Sequence, residues 1–276
     1  MVNHIGFDRA ADFYDETRDL DPAARRKLTD ILVKEVQGRD LLEVGIGTGL
    51  VGLALARQGV RVSGVDLSTE MLHKLADKFV HPDEVVLFHA DATELPFDDC
   101  SFDAVLTSQM LHLLDDWRRA LDELTRVVRP CGIILIDLGN EPDSGWGGPW
   151  SDVAAKFWEY ARPEGRRRPE VWLDGAVEQY LLGKGLSGRP LEKVTAFENL
   201  SLGDVISRLE RGFWSACWTL KSEELTGCAE KTRTWAGKKF GDLRCAYRVS
   251  RVIGYRAYEL GVQSTKTVDQ KSMVLK

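Results

Sequence analysis

The sequence has no paired Cys-x-x-Cys, no run of about 18 apolar residues, no internal repeat and no low-complexity tract. Its five cysteines, Cys100, Cys131, Cys217, Cys228 and Cys245, are odd in number and scattered, which excludes a disulfide-stapled scaffold and fits reduced thiols. Without a long apolar run no membrane span is expected. The charged start MVNHIGFDRAADFYDETR lacks a signal-peptide core, so a soluble, cytoplasmic protein is expected. The five histidines, His4, His73, His81, His89 and His112, lack metal-like spacing, and no metal is expected. No glycine-serine nucleophile elbow occurs. Basic residues are outnumbered, 37 against 43 acidic, and the formal charge of -6 disfavours general affinity for nucleic acid or anionic membranes.

What is present suffices for a folded α/β protein, since 43% of the 276 residues are hydrophobic. Helical spacing of Leu28, Ile31, Leu32 and Val36, with Asp21-Pro22 as a start signal, predicts two helices before the first strand. Strands are expected at Asp40–Val44, Val60–Val65, Glu84–His89, Phe102–Thr107 and Gly132–Leu138. Between them helices are expected at Thr48–Gln58, Ser68–Phe79, with Ser68 as cap, and Asp115–Val128. Strand and helix in alternation mean a mainly parallel sheet, with ligands at its carboxyl edge.

After Leu138 the texture changes. Residues 139–150 are rich in glycine, proline and tryptophan, and helix-like stretches run to about Leu225. Trp146, Trp150, Trp158, Trp172, Trp214 and Trp218 fall here, able either to line an apolar pocket or to form a small core of their own. The division expected is a core with N-terminal cap helices over 1–140 and an aromatic-rich helical lid over 141–225. A return to the core over 226–262 and a mobile tail over 263–276 complete it. Glu223–Lys239 reads as a helix, and Leu243–Glu259 as the sheet's edge hairpin or last antiparallel member.

The stretch with most information is Leu41–Gly49, LLEVGIGTG: a buried strand, a tight turn and the start of a helix, with three alternating glycines. It predicts a nucleoside ligand. Gly47-x-Gly49-x-x-Gly52, with Asp66 beyond it, fits the dinucleotide pattern in spacing. In that register, however, Gly45 already forms the turn and Gly47 comes two residues late. Glu43, inside the apolar strand, would repel phosphates and suits a cationic ligand.

LEVGIGTG, GVDLS, HADATELPF, FDAVLTSQMLHLL and RVVRPCGIILI, in that order, resemble the successive motifs of class I S-adenosylmethionine-dependent methyltransferases. The resemblance covers residues 7 to about 138. It is closest to the small-molecule branch that contains the ubiquinone and menaquinone C-methyltransferases, where a segment similar to FDRAADFYDETR also occurs. Cys131-Gly132 departs from the usual Gly-Gly. The resemblance implies a doubly wound, Rossmann-like, mainly parallel seven-stranded sheet with helices on both faces. It also implies S-adenosylmethionine as cofactor and S-adenosylhomocysteine as product.

The resemblance further assigns roles. Gly45, Gly47 and Gly49 pass beneath the methionine portion, with Glu43 supporting the site, and Asp66 accepts from both ribose hydroxyls. Leu67 and Met71 flank the adenine, although at that spacing they could equally be core. Asp91 accepts from the adenine amino group, with Ala92 and Thr93 as the adjoining wall; the rival role for Asp91 is to form a turn. Ser108 and Gln109 pass the methionine end. Tyr14 and Arg18 fold over the cofactor, Arg18 facing its carboxylate, unless they are ordinary helix-surface residues.

Methyl transfer from a sulfonium needs alignment and exclusion of water more than protein chemistry. His112 is the candidate general base, or else a hydrogen-bonded histidine shaping the pocket floor. The expected acceptor is a small apolar or aromatic molecule. Arg162, Arg166, Arg167, Arg168 and Arg189 could hold a carboxylate, a phosphate or RNA, or be a solvated face. A nicotinamide oxidoreductase and a non-catalytic cofactor-binding protein remain the readings from other classes.

Overall fold

The computed structural model describes residues 8, 11–18, 20–81, 84–137, 148–161 and 174–260. Two helices come first, α1 (Tyr14–Arg18) and α2 (Pro22–Val36). Asp21 caps α2, accepting from the N–H groups of Ala23 and Ala24 at 3.1 and 3.0 Å, and Pro22 occupies the first turn. Then β1 (Asp40–Val44), α3 (Gly52–Ala56), β2 (Arg61–Asp66), α4 (Thr69–Ala76), β3 (Val86–His89), β4 (Phe102–Ser108), α5 (Trp117–Val127) and β5 (Val128–Asp137) follow. Ser68 caps α4 through its bond to Met71 N–H.

The second half holds α6 (Pro149–Ala161), α7 (Asp174–Gly183), β6 (Leu186–Pro190), β7 (Val194–Ser201), α8 (Leu202–Glu210), α9 (Ser222–Phe240), β8 (Ala246–Ile253) and β9 (Arg256–Leu260). The main sheet has seven strands in the order β3-β2-β1-β4-β5-β9-β6, while β7 and β8 form a separate antiparallel pair. β1 to β5 run parallel, and β9 is antiparallel to both of its neighbours. This is the doubly wound, mainly parallel seven-stranded architecture that the motifs imply.

Each face of the sheet has its own apolar core. On one, α2, α3 and α4 bury Leu32, Val36, Leu55 and Leu75 against Leu41 and Leu106. On the other, α5 and α7 bury Leu121, Leu124, Val177 and Leu181 against Leu42 and Val105. A third core, off the sheet, joins α6, α8 and α9 through Val153, Phe157, Val205, Leu209 and Ala229.

Three element readings need correction. The helix-like texture up to Leu225 contains two strands, β6 and β7, and α7 with β6 belongs to the layers of the main sheet. Leu243–Glu259 is not a hairpin but two strands in two different sheets, broken at Gly254; β9 is the last, antiparallel member of the main sheet as the alternative reading expects, though it lies between β5 and β6 rather than at the edge. The fifth strand begins at Val128, not Gly132, and runs through Pro130. A register shift opposite Phe102 and Ala104 accommodates this, with Cys131 in the left-handed region at φ 66°. The tail beyond 260 lies outside the described residues.

Candidate active site

The carboxyl ends of β1, β2, β4 and β5 carry Glu43, Asp66, Ser108 and Asp137 to one edge of the sheet. Parallel strands in one sheet must end together, so polar residues at successive strand ends gather without any long-range instruction. Beyond them opens a cavity whose empty space, the open mouth included, is about 810 Å³. Tyr14, Arg18, Glu43, Gly45, Ser108 and Gln109 line it together.

The glycine loop makes this approach possible. Gly45, Gly47 and Gly49 all take positive φ, 76°, 54° and 79°. A Cβ at Gly45 would also stand 2.8 Å from Met110 Cγ. α1 closes over the loop: Thr48 Oγ1 donates to Asp15 Oδ1 at 2.5 Å, and Lys78 pairs with Asp15 while donating to the Thr48 carbonyl at 2.8 Å. The Tyr14 ring lies against Gly47, and burial raises the pKa of its hydroxyl.

Glu43 is 2% exposed, and its Oε2 has no hydrogen-bond partner. Burial pushes its carboxyl up to about 8; the Gly52 N–H works against that rise, and the neighbouring Asp66 adds to it. A Cβ on Gly52 would lie 2.1 Å from Oε2, so the carboxyl group fits only beside a glycine. Asp66 accepts from Gly47 N–H at 2.8 Å and Ser68 N–H at 2.9 Å, and burial raises its pKa too. It thereby ties β2 to the glycine loop.

The remaining sequence candidates are placed as follows. Asp91 Oδ1 accepts from both the backbone and the hydroxyl of Thr93 at 2.8 Å, which is the turn-forming geometry. Ala92 is half-buried against the α5 side of the sheet. Met71 is buried in a small cluster with Ala11, Phe13 and Tyr14, whereas Leu67 is exposed. Asp66, Leu67, Met71, Asp91, Ala92 and Thr93 therefore lie along the edge next to the cavity rather than in its wall. His112 follows β4 in a short 3₁₀ turn. Solvent reaches it, yet the surrounding protein strips its hydration and, with Arg18 nearby, lowers its pKa to about 4.

Other expected contributors are elsewhere. Arg189 pairs with Glu35 at 2.6 Å and with Glu259 at 3.2 Å on the outer strand, away from the cavity. Arg162, Arg166, Arg167, Arg168, Trp146 and Trp172 lie outside the described residues. Trp150, Trp158, Trp214 and Trp218 pack on the third core, Trp218 also packs against the cluster of Ala11 and Met71, and none of them lines the cavity. Among the described residues no group of three or more His, Cys, Asp or Glu side chains is placed to hold a metal, and no helix is long and apolar enough to cross a membrane.

The structure adds residues that the sequence reading passes over: Asp137, Arg251, Ile253 and Tyr255. Gln109 takes φ 48°, its N–H donating to the Asp137 carbonyl at 2.8 Å. The Tyr255 and Ser108 hydroxyls are hydrogen bonded, and burial holds the Tyr255 hydroxyl well above its usual pKa. Arg251 donates to the Arg18 carbonyl at 2.9 Å, its own pKa lowered by burial and by the neighbouring Arg18. Gly254, inside an otherwise strand-like run, is the one signal that could mark this corner.

Residues 42–136 match the model of a family described as a methyltransferase domain. The chain is 40% identical over 134 residues to a demethylmenaquinone methyltransferase of Clavibacter sepedonicus, covering 47% of this chain and 55% of that protein. It thus spans little more than half the length of that relative. In fold it is similar to a protein of Anaeromyxobacter dehalogenans titled as a type II methyltransferase, at TM-score 0.61 and 21% identity, covering 85% of this chain and 96% of that one. It is also similar to the [4+2]-cyclase SpnF, at TM-score 0.56 and 20% identity, with 93% and 94% covered. At such identities the likeness concerns the fold alone, and the cyclase shows that this fold serves more than one activity. Sequence motifs, sheet order and the match over residues 42–136 together show that this chain carries a methyltransferase domain on a Rossmann-like fold, similar in sequence to that of the demethylmenaquinone methyltransferases.

Proposed function

We propose that the chain transfers a methyl group from S-adenosylmethionine to a small-molecule oxygen, nitrogen or carbon nucleophile by direct displacement, leaving S-adenosylhomocysteine. The observation that carries this reading is Glu43. A carboxyl group buried at the edge of a cavity, with one oxygen unpartnered, suits a cationic ligand and not a pyrophosphate.

The roles proposed are those that the family resemblance implies. Gly45, Gly47 and Gly49 let the backbone lie against the methionine portion, and Arg18 faces its carboxylate from α1. Tyr14, Ser108 and Gln109 complete that wall. Asp66 keeps lone pairs for two ribose hydroxyls while holding Gly47 and Ser68. Asp91, Ala92 and Thr93, with Leu67 and Met71, border the adenine. When bound, the donor supplies an activated methyl on a positively charged sulfur, so the chain's own residues need only align the acceptor and exclude water.

His112, neutral at pH 7 with its pKa near 4, orients the acceptor by a hydrogen bond rather than taking a full proton. The apolar part of the cavity's lining, with Leu20, Leu28, Ile253 and Tyr255, receives an apolar or aromatic acceptor. The helices of the expected lid over 141–225, α6 and α8 among them, cover it. A chain of charge -6 favours such an acceptor over RNA.

Calorimetry with S-adenosylmethionine and S-adenosylhomocysteine tests the donor. Micromolar binding that falls at least tenfold in Asp66→Ala is expected, followed by methyl transfer in a screen of metabolite extracts. Absence of binding below millimolar concentration, or preference for NAD, overturns the reading.

A further inference from the structure

Glu43 is enclosed on every side that matters for its charge. It comes from the central strand β1, is 2% exposed and lines the cavity, and its Oε2 finds no donor. The absent Cβ of Gly52 leaves just the room it fills. The titratable groups whose charge acts on it are Asp66 from β2, Tyr14 from α1 and Tyr255 from the turn between β8 and β9. Around the same cavity stand Arg18 of α1, Arg25 of α2, Asp137 at the end of β5 and Arg251 of β8.

An ionised carboxylate with an oxygen buried and unpartnered is a costly state, and a protonated one is not. Consistent with this, burial raises its pKa to about 8. A positive charge seated in the cavity reverses the preference, because the carboxylate then gains a counter-charge where water is excluded.

We infer that Glu43 is a specificity-determining, proton-coupled receptor for the cationic methionine end of the donor. It is a carboxylic acid in the empty protein and a carboxylate in the complex, with its proton passing to solvent as the ligand enters. This rests on the methyl-donor reading above. Binding and ionisation are then one event, so donor affinity rises with pH until the empty protein has itself lost the proton, and levels off above about pH 8. A neutral ligand of the same shape gains nothing from this residue.

The test is calorimetry of S-adenosylmethionine and S-adenosylhomocysteine binding to the full chain at pH 7, in phosphate and in Tris. These buffers differ in ionisation enthalpy and so report protons released. About one proton released per S-adenosylmethionine is expected, with Kd tightening about tenfold per pH unit below pH 8. Release with both ligands assigns the partner as their shared ammonium, and release with S-adenosylmethionine alone assigns it as the sulfonium. In Glu43→Gln, release vanishes and Kd becomes flat with pH. The infrared band of a protonated carboxyl, present in the empty wild-type protein and lost on adding donor, reads the same proton without any variant. Donor binding with no proton release, or release unchanged in Glu43→Gln, overturns the inference and leaves the methyl-donor reading standing. Failure of both ligands to bind the wild-type protein overturns the two together.

Discussion

Residues 40–137 and residues 148–260 reach the same cavity by different kinds of chain order. In the first region each strand pairs in parallel with one that is a single βα unit away in sequence or brought beside it by the sheet's reversal. The register Asp40↔Arg61 to Val44↔Val65 is typical. Every strand then ends on the same side, and Glu43, Asp66, Ser108 and Asp137 arrive there together. In the second region the pairings are antiparallel and distant. β7 meets β8 from Val194↔Ile253 to Ser201↔Ala246, and β9 inserts between β5 and β6. The side of the cavity built by the parallel strand ends is thus written in short local segments, while the lining from β8 and the turn after it depends on contacts across about half the chain. A reaction can keep one donor and change acceptors by altering only the second kind of wall.

The sharpest way to break this comparison is a core deletion in the second region. Phe157 is fully buried among α6, α8 and α9, so Phe157→Ala is expected to cost about 3–5 kcal/mol. Thermal melting should show the loss, while donor affinity measured below the transition stays within about twofold. A tenfold fall in affinity would mean that the two regions are not separable.

Next in size is Gly52→Ala in the first region. The added methyl would stand 2.1 Å from Glu43 Oε2 and 3.1 Å from Ile46 Cδ1. The expected cost is about 1–3 kcal/mol, here with donor affinity reduced at least tenfold. Denaturation midpoints and calorimetry check both halves of that statement, and full donor affinity in the variant would release Glu43 from the site. The smallest effect is the opposite in sign. Gly227 and Gly237 lie inside α9 with nothing within 4 Å of an added Cβ, so alanine at either should stabilise by about 0.5–1 kcal/mol without touching donor affinity. Destabilisation in urea titrations would show that α9 needs those glycines.

Much of residues 40–137 is legible in the sequence because its signals are local. Asp21, Ser68 and the glycine loop do what their residue types require within a few positions. Met71 shows the limit: helical spacing leaves adenine contact and burial equally open, and the N-terminal segment together with Trp218 packs on the cluster that buries it. Tyr255 shows a second limit, since β8 and β9 read as one alternating run and only their separate sheets turn Gly254-Tyr255 into a corner. The tryptophans show a third, as an aromatic-rich segment can face a ligand or itself, and those described pack on the third core.

By itself the sequence determined the alternation of parallel strands and helices, the glycine turn after β1, and the acids at the strand ends. Those features depend on dihedral freedom, capping and period within one βα unit. The tertiary structure alone decided that β9 enters the sheet beside β5, that Tyr255 and Arg251 line the cavity with Ser108 and Arg18, and that Glu43 is buried with its Oε2 unpartnered. Antiparallel register between distant strands and the desolvation of a side chain are set by everything packed around them, and no local segment encodes that.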